Sequence, residues 1–271
     1  MKIAFIGGGN IATALIGSLY ASHHDVHRIQ VGDPDPGVAT RLQQHWPVHC
    51  FDTAADAIEG MEAIVLSVKP QVLPDVLEEI GALVTNEQMI ISIVAGIHTS
   101  QIAARLEASP PIVRTMPNTP ALIGLGITGM YAPINCKLSQ RQLAQNLMES
   151  AGEVEWLDQE YLLDAVTAVS GSGPAYFYYL VECLRNAGVR QGLPADVSAR
   201  LALHTAHGAC TLAIRSDADV VELRDRVTTP GGTTEAAFDV FEAGRFAALL
   251  DEAVAAATER GRELSALEDS A

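Results

Sequence analysis

An α/β chain, with a doubly wound parallel sheet in its first half and an all-α second half, is predicted by three features of this 271-residue sequence. A short apolar strand at the start runs through a glycine turn directly into a helical pattern. Short apolar runs then alternate with helical stretches as far as residue 157, the alternation that builds a parallel sheet covered on both faces. From Tyr161 onward the pattern is nearly continuous helix.

The first strand is expected over residues 2–6, ending at Ile6. Gly7-Gly8-Gly9-Asn10-Ile11-Ala12 follows and leads into the helical segment Thr13-Ala14-Leu15-Ile16. This is Gly-x-Gly-x-x-Ala between a strand and a helix, the Rossmann-like dinucleotide fingerprint. Gly7 would make the tight turn, Gly9 would admit a pyrophosphate to the helix N-terminus, and Ala12 would serve close packing. A glycine fingerprint alone is weak; this context strengthens it. A second strand over residues 28–32 ends at Asp33. An acid there ordinarily receives a ribose 2′-hydroxyl, so the local physics leans toward NAD. By composition, Asp33-Pro34-Asp35-Pro36-Gly37 reads equally as a turn.

Residues 62–68 form a continuous apolar run, as expected of a buried parallel strand, and residues 88–94 repeat it. Helices are expected over 74–83 and 100–106. Ligands of such sheets lie outside the carboxyl ends of the strands, which places Val68, Lys69, Pro70, Gln71, Ala95 and Gly96 at a cofactor edge. A strand over 111–115 leads into Met116-Pro117-Asn118-Thr119-Pro120, whose two prolines predict a stiff extended loop. Asn118 is the polar group there that would face a ligand; bonding to its own turn is the alternative. A strand over 126–131, a helix over 139–150 and a last strand over 154–157 complete the sheet region.

The helical half begins with a pattern over 162–169 that meets Ser170-Gly171-Ser172-Gly173-Pro174, which is expected to break or kink it. Further helices are expected over 175–188, 193–214 and 246–267. No linker separates the halves, so the domains are taken as 1–160 and 161–271, joined at the end of the last strand. Helices rich in alanine and apolar on more than one face make the second domain a candidate for a subunit interface. Within it, Thr229-Pro230-Gly231-Gly232-Thr233-Thr234 opens another apolar helix-period segment. Such a junction leaves N–H groups unpaired at the positive end of the helix dipole. It reads either as a carboxylate-sized anion site with a spare hydroxyl or as an ordinary capped helix.

The bulk composition narrows the function classes. With 33 acidic against 17 basic residues the formal charge is −16, which disfavours nucleic acid as a partner. No apolar run reaches membrane-spanning length without charge, proline or glycine. The start of the chain has no secretory leader pattern, and Cys50, Cys136, Cys183 and Cys210 are scattered. A cytoplasmic protein with reduced, structural thiols is expected. His204 and His207 share a helix face, but no third ligand completes a metal set, so no metal is expected. Tyr176-Phe177-Tyr178-Tyr179 is read as core and interface packing rather than a cofactor platform. His98, after the Ala95-Gly96 turn, either approaches the nicotinamide end or is a surface histidine, the second being the preferred account.

Five stretches carry a family resemblance: Phe-Ile-Gly-Gly-Gly-Asn at 5–10, Leu-Ser-Val-Lys-Pro-Gln at 66–71, Val-Arg-Thr-Met-Pro-Asn-Thr-Pro at 113–120, Ala-Val-Ser-Gly-Ser-Gly-Pro-Ala-Tyr at 168–176, and the stretch 225–242. With these the chain resembles the pyrroline-5-carboxylate reductases over essentially its whole length, and the last two stretches are highly specific. The resemblance implies an oxidoreductase of proline biosynthesis that passes a hydride from NAD(P)H to the imine of 1-pyrroline-5-carboxylate, giving L-proline. It implies that the substrate carboxylate sits on the backbone around Gly231, Gly232, Thr233 and Thr234 with the Thr229 hydroxyl, and that Thr234 is the catalytic hydroxyl at the ring nitrogen. It implies a homodimer through the helical domain, with decamers of five dimers in many members. Three departures touch the adenosine end: Ile11 replaces a usual methionine, Ala54 stands where many relatives have asparagine, and Asp33 where several have serine or threonine. NADP is the family's default, with NAD possible here. The rival readings are another two-domain dehydrogenase, whose usual lysine or histidine acid is missing from 225–242, and a catalytically silent nucleotide-binding relative.

Overall fold

The computed structural model describes residues 1–22 and 28–268. The chain separates into two compact units, one of residues 1–172 with the stretch from Ala256 onward, the other of residues 173–255. The first unit holds eight strands among the described residues: β1 (Ile3–Ile6), β2 (Ile29–Gly32), β3 (His49–Phe51), β4 (Ala63–Leu66), β5 (Met89–Ser92), β6 (Ile112–Met116), β7 (Gly126–Tyr131) and β8 (Gly152–Trp156). Their order is β3-β2-β1-β4-β5-β6-β7-β8. Neighbours are parallel except β6 and β7, which run antiparallel. The chain starts in mid-sheet, runs out to β3 and crosses back to β4. The strand order therefore reverses between β1 and β4, and ligands of open α/β sheets bind at such a switch point.

Every residue of β1, β4 and β5 is buried because helices cover both faces. Ile3, Phe5, Val65 and Ile91 pack with Leu15 and Ile16 of α1 (Asn10–Ala21) and Leu42 of α2 (Pro36–Gln43). Ala4, Ile6, Ile64 and Ile90 face the other way, onto α3 (Ala54–Ile58) and α4 (Leu73–Ile80). Strand alternation thus divides one core into two layers. The short α5 (Thr99–Ala103), then α6 (Leu138–Glu149) and α7 (Leu162–Val166), complete this unit.

The structure corrects the sequence reading at several elements. Asp33-Pro34-Asp35-Pro36-Gly37 does more than turn: the Asp35 carboxylate accepts the Gly37 N–H at 2.8 Å and caps α2, with Pro36 in its first turn. The unforeseen α3 starts the same way, with the Thr53 hydroxyl accepting from Asp56 N. The three-residue β3 is too short to announce itself by alternation. The loop after Asn118 is extended only at that residue; Thr119–Ile123 is a 3-10 helix.

At 170–174, where a break or kink is expected, the α-helical pattern is interrupted, with a bend at Ser172 before the next helix. After α7 the backbone widens into a π-helical turn, Thr167–Gly171, with Ser172 N donating to Thr167 O at 2.8 Å. The extra residue is absorbed with the ladder still bonded. Then α8 (Gly173–Arg190) starts, with Pro174 in its first turn, where a missing N–H costs nothing. Gly171 packs against Met116: a Cβ there would lie 2.5 Å from Met116 Cε, the far end of a flexible side chain. The unit boundary at Ser172 and the expected join at residue 160 differ by α7 and this π turn.

The second unit comprises α8, α9 (Ala195–Arg215), α10 (Val220–Arg226), which was not foreseen, α11 (Thr233–Ala243) and the first part of α12 (Phe246–Glu268). Helices α8 and α9 cross closely: Ser198 Oγ donates to Arg185 O at 2.7 Å, and a Cβ on Gly188 would fall 2.3 Å from that oxygen. Between residues 173 and 255 only Gly173, Ser198 and Ala202 are buried. Phe177, Tyr178 and Tyr179 are exposed in the single chain, so the aromatic cluster is not core within it. Cys183 and Cys210 are exposed as well, which corrects the reading of all four thiols as structural. Cys136 is buried, and burial pushes its thiol pKa up. No described helix is long and apolar enough to cross a membrane.

Candidate functional site

At the end of β1 the three glycines of the turn have different surroundings. Gly7 has a φ of +94°, and a Cβ there would meet Ser67 O at 2.7 Å. Gly8 is pressed on Val38, whose Cγ1 would lie 2.2 Å from an added Cβ. Gly9 faces open space, with nothing within 4 Å of a Cβ. It precedes α1, whose start carries no side-chain cap and no acid in its first turn. Unpaired N–H groups at a helix N-terminus, with room left by a glycine, suit a pyrophosphate. The residues present therefore fit a dinucleotide.

Around this turn Ile6, Gly7, Gly9, Asp33, Val68 and Lys69 converge on one hollow of about 530 Å³ at the carboxyl ends of β1, β2 and β4. Asp33 Oδ2 accepts the Gly8 N–H at 2.8 Å and Oδ1 accepts the Asp35 N–H at 3.0 Å. Arg41 of α2 donates to Gly8 O at 2.6 Å. Ser67 Oγ lies 2.9 Å from Ile6 O and 2.7 Å from Gly7 O, tying β4 to the turn. Burial, then the Asp33 charge, raises the pKa of the Cys50 thiol on neighbouring β3. Sequence reasoning did not single out Ser67, Asp52, Thr53, Asp75 or Glu79 as lining residues. The Thr53-Ala54-Ala55-Asp56 capping pattern was the available signal for α3, and with it for Asp52 and Thr53.

Asn10 and Ile11 open α1, while Pro70 and Gln71 lie in a 3-10 turn, Pro70–Val72, just beyond Lys69. Ala95 and Gly96, the latter at φ +81°, follow β5. Asn118 is buried; its Oδ1 accepts the Ile127 N–H at 3.0 Å and its Nδ2 donates to Ser170 Oγ at 3.1 Å. That amide clamps the 3-10 turn to β7 and to the π turn, and it does not cap its own turn, the alternative weighed for it. Near it, Arg114 on β6 is buried against Glu160 and Asp164, each at 3.5 Å, and Nη1 lies 3.3 Å from His98 Nδ1. His98 is thus half-buried in a charged cluster, not a free surface histidine. Arg114 had been noticed only as part of a motif.

In the second unit, Gly231 adopts φ +71° and Gly232 precedes α11 without a side-chain cap. A Cβ on Gly232 would meet Thr229 Oγ1 at 2.6 Å, so glycine is needed there as well. Two of the expected donors are already occupied: Gly232 N bonds Thr229 O at 2.9 Å, and Gly231 N bonds Glu235 Oε2 at 2.6 Å. Thr233 and Thr234, the first helical residues, have no earlier turn to bond and keep hydroxyls beside their N–H groups. Glu235 was not anticipated, though an acid at the third helical position is the usual partner of a helix start.

A larger hollow of about 810 Å³ lies at the opposite, amino-terminal ends of β4 and β5, lined by Asp56, Glu59, Glu62 and Glu87 among others. It lies away from the switch point. No group of three or more His, Cys, Asp or Glu is placed to hold a metal among the described residues.

Comparison with known proteins places this arrangement. A family model described as "Pyrroline-5-carboxylate reductase dimerisation" matches residues 160–264, and one described as "NADP oxidoreductase coenzyme F420-dependent" matches residues 2–96. The pyrroline-5-carboxylate reductase of Pseudomonas aeruginosa is 42% identical over 97% of this chain and 97% of its own. That of Haemophilus influenzae is 35% identical over 98% of each. The solved structure of a pyrroline-5-carboxylate reductase from Coxiella burnetii has a TM-score of 0.90 at 35% identity, covering 97% of this chain and 98% of its own. The Plasmodium falciparum pyrroline carboxylate reductase, solved with NADP bound, has a TM-score of 0.87 at 27% identity over 98% of each. The glycine turn at the switch point, the uncapped start of α11 and these matches over nearly the whole length agree, and the chain belongs to the pyrroline-5-carboxylate reductase family.

Proposed function

We propose that this chain reduces the C=N bond of 1-pyrroline-5-carboxylate to give L-proline, seating the substrate carboxylate at the start of α11. The observation that carries this reading is the uncapped helix start after Gly231, where two N–H groups without helical partners sit beside two threonine hydroxyls. Thr233 and Thr234 supply the backbone donors, and Thr229 adds a hydroxyl. Gly231 and Gly232 shape the turn, their own N–H groups being held by Glu235 and Thr229. The Thr234 hydroxyl then lies at the ring nitrogen, positions it and assists its protonation. A bound reduced nicotinamide supplies the hydride, and Ile6, Gly7, Gly8, Gly9, Asn10, Ile11, Asp33, Val68, Lys69, Pro70, Gln71, Ala95 and Gly96 form the edge that holds it. Asn118 acts there by bracing the 3-10 turn rather than by direct contact. A cyclic imine can arrive already protonated at nitrogen, so that hydride addition gives the neutral amine directly, and alignment and exclusion of water do most of the catalysis.

Residues 1–160 serve as the dinucleotide domain and 161–271 as the helical substrate and dimerisation domain. Two copies pair through the helical domain, with five dimers as a candidate higher assembly, in the cytoplasm where thiols stay reduced. The test is consumption of NADH and of NADPH with synthetic pyrroline carboxylate, in wild type and Thr234→Ala. The expected result is turnover by wild type and a fall in kcat of about 10²-fold in the variant, the scale of losing one transition-state donor, with dinucleotide affinity unchanged. Unaltered kinetics in Thr234→Ala would remove that residue from the mechanism, and no turnover with either dinucleotide would reject the reading altogether.

A further inference from the structure

We infer that this chain selects NADH over NADPH, with Asp33 as the specificity-determining residue and the carboxylates around it excluding a 2′-phosphate. The inference rests on the dinucleotide reading above and names which of the two cofactors that site takes. Asp33 follows β2, the position from which the 2′ substituent of the adenosine ribose is read in this kind of sheet. Its carboxylate is held from two sides, by Gly8 N–H at 2.8 Å and Asp35 N–H at 3.0 Å. Turning it away to admit a phosphate would break both bonds and release the glycine turn. A carboxylate has about four acceptor sites, so two remain for a ribose hydroxyl, and it has no donor for a phosphate oxygen.

The neighbours reinforce this. Asp33, Asp52, Asp75 and Glu79 all line the hollow, and Lys69 is the one cationic side chain among its lining residues. Lys69 follows β4, whereas Asp33 and Asp52 follow β2 and β3. Arg41, on the helix after β2, gives its Nη2 to Gly8 O at 2.6 Å. Ala54, also lining the hollow, has no side-chain polar group to offer a phosphate. A phosphomonoester brings a charge of about −1.5 to −2 into this like-signed setting, which is discrimination by repulsion as much as by attraction.

Equilibrium titration of the full chain with NADH and with NADPH, read by protein fluorescence, tests the inference without any turnover. Wild type is expected to bind NADH at least about tenfold more tightly, equivalent to about 1.4 kcal/mol. The ratio should shrink as salt is raised from about 0.01 to about 1 M, because the Debye length falls from roughly 30 to roughly 3 Å. Asp33→Ser should bring the two affinities within about threefold, or favour NADPH. Because Asp33 also braces Gly8, Asp33→Asn, which keeps an acceptor oxygen, is measured beside it. Equal or tighter NADPH binding by wild type overturns the inference. So does an unchanged ratio in both variants while their circular dichroism stays native. Failure of both dinucleotides to bind would instead bring down the underlying dinucleotide reading, and the inference with it.

Discussion

Gly7, Gly8 and Gly9 are the same residue in sequence and three different mechanical parts in the fold. Gly7 supplies a left-handed turn, Gly8 makes way for Val38, and Gly9 leaves a gap that no protein atom fills. The consequences of adding a methyl group therefore separate. Gly9→Ala, at φ −67°, is expected to keep or slightly raise stability, by up to about 1 kcal/mol, while weakening dinucleotide binding at least about tenfold. Gly8→Ala, with a Cβ 2.2 Å from Val38 Cγ1, is expected to lose about 1–3 kcal/mol by overpacking. Thermal melts beside cofactor titrations distinguish the two, and equal destabilisation by both would contradict the geometry. The fingerprint itself was plain in the sequence. The parts played by Gly7 and Gly9 were legible with it; the close packing of Gly8 on Val38 was not, because that depends on α2 packing across the turn from a separate segment.

At the scale of one element, the start of α11 combines N–H groups without helical partners with a turn that is partly self-satisfied. Glu235 reaches back one turn to hold the Gly231 N–H at 2.6 Å, and this fixes the left-handed turn before the free N–H groups. Glu235→Ala is expected to cost about 0.5–1.5 kcal/mol of stability, the net worth of one hydrogen bond. By letting the turn relax it should also raise KM for the pyrroline carboxylate several-fold with little change in kcat. Steady-state kinetics with a parallel melt measures both, and a fall in kcat at constant KM would mean Glu235 acts on the chemistry instead. The junction was legible from its glycines and threonines; the self-cap was legible in principle from the spacing of Glu235. The π turn was not, since a Ser-Gly-Ser-Gly-Pro run looks like a break unless the packing of Gly171 on Met116 and the Asn118–Ser170 bond are known.

At the scale of the whole molecule, the second unit lacks the interior that a stable helical domain requires. Leu201, Leu212, Leu249 and the aromatic run at 177–179 all lie exposed in the single chain, and three small residues make up its buried set. Apolar surface on that scale marks an interface. The proposed pairing of two chains predicts a melting temperature that rises with protein concentration, by mass action, together with a dimer mass or a multiple of it in light scattering. A concentration-independent melt of a monodisperse monomer would refute it. Arg114 with Glu160 and Asp164 belongs to this scale as well, since it joins β6 to the segment leading into α7 through buried charge.

Local pattern was sufficient for every strand of the sheet except β3, for the glycine turn after β1, the acid at the end of β2 and the glycine-threonine start of α11, because each is written within a few adjacent residues. Strand existence and order of appearance followed from runs of apolar residues that only a twice-covered parallel sheet requires. Tertiary structure alone decided what those local signals are used for. It brought Ser67 and Arg41 onto the glycine turn, gave Asn118 to the π turn instead of to open space, and assembled Asp33, Asp52, Asp75 and Glu79 around one hollow. These residues come from different strands and helices, and no local periodicity records which of them meet. Their juxtaposition is set by the order in which the strands pair, a long-range property of the folded chain.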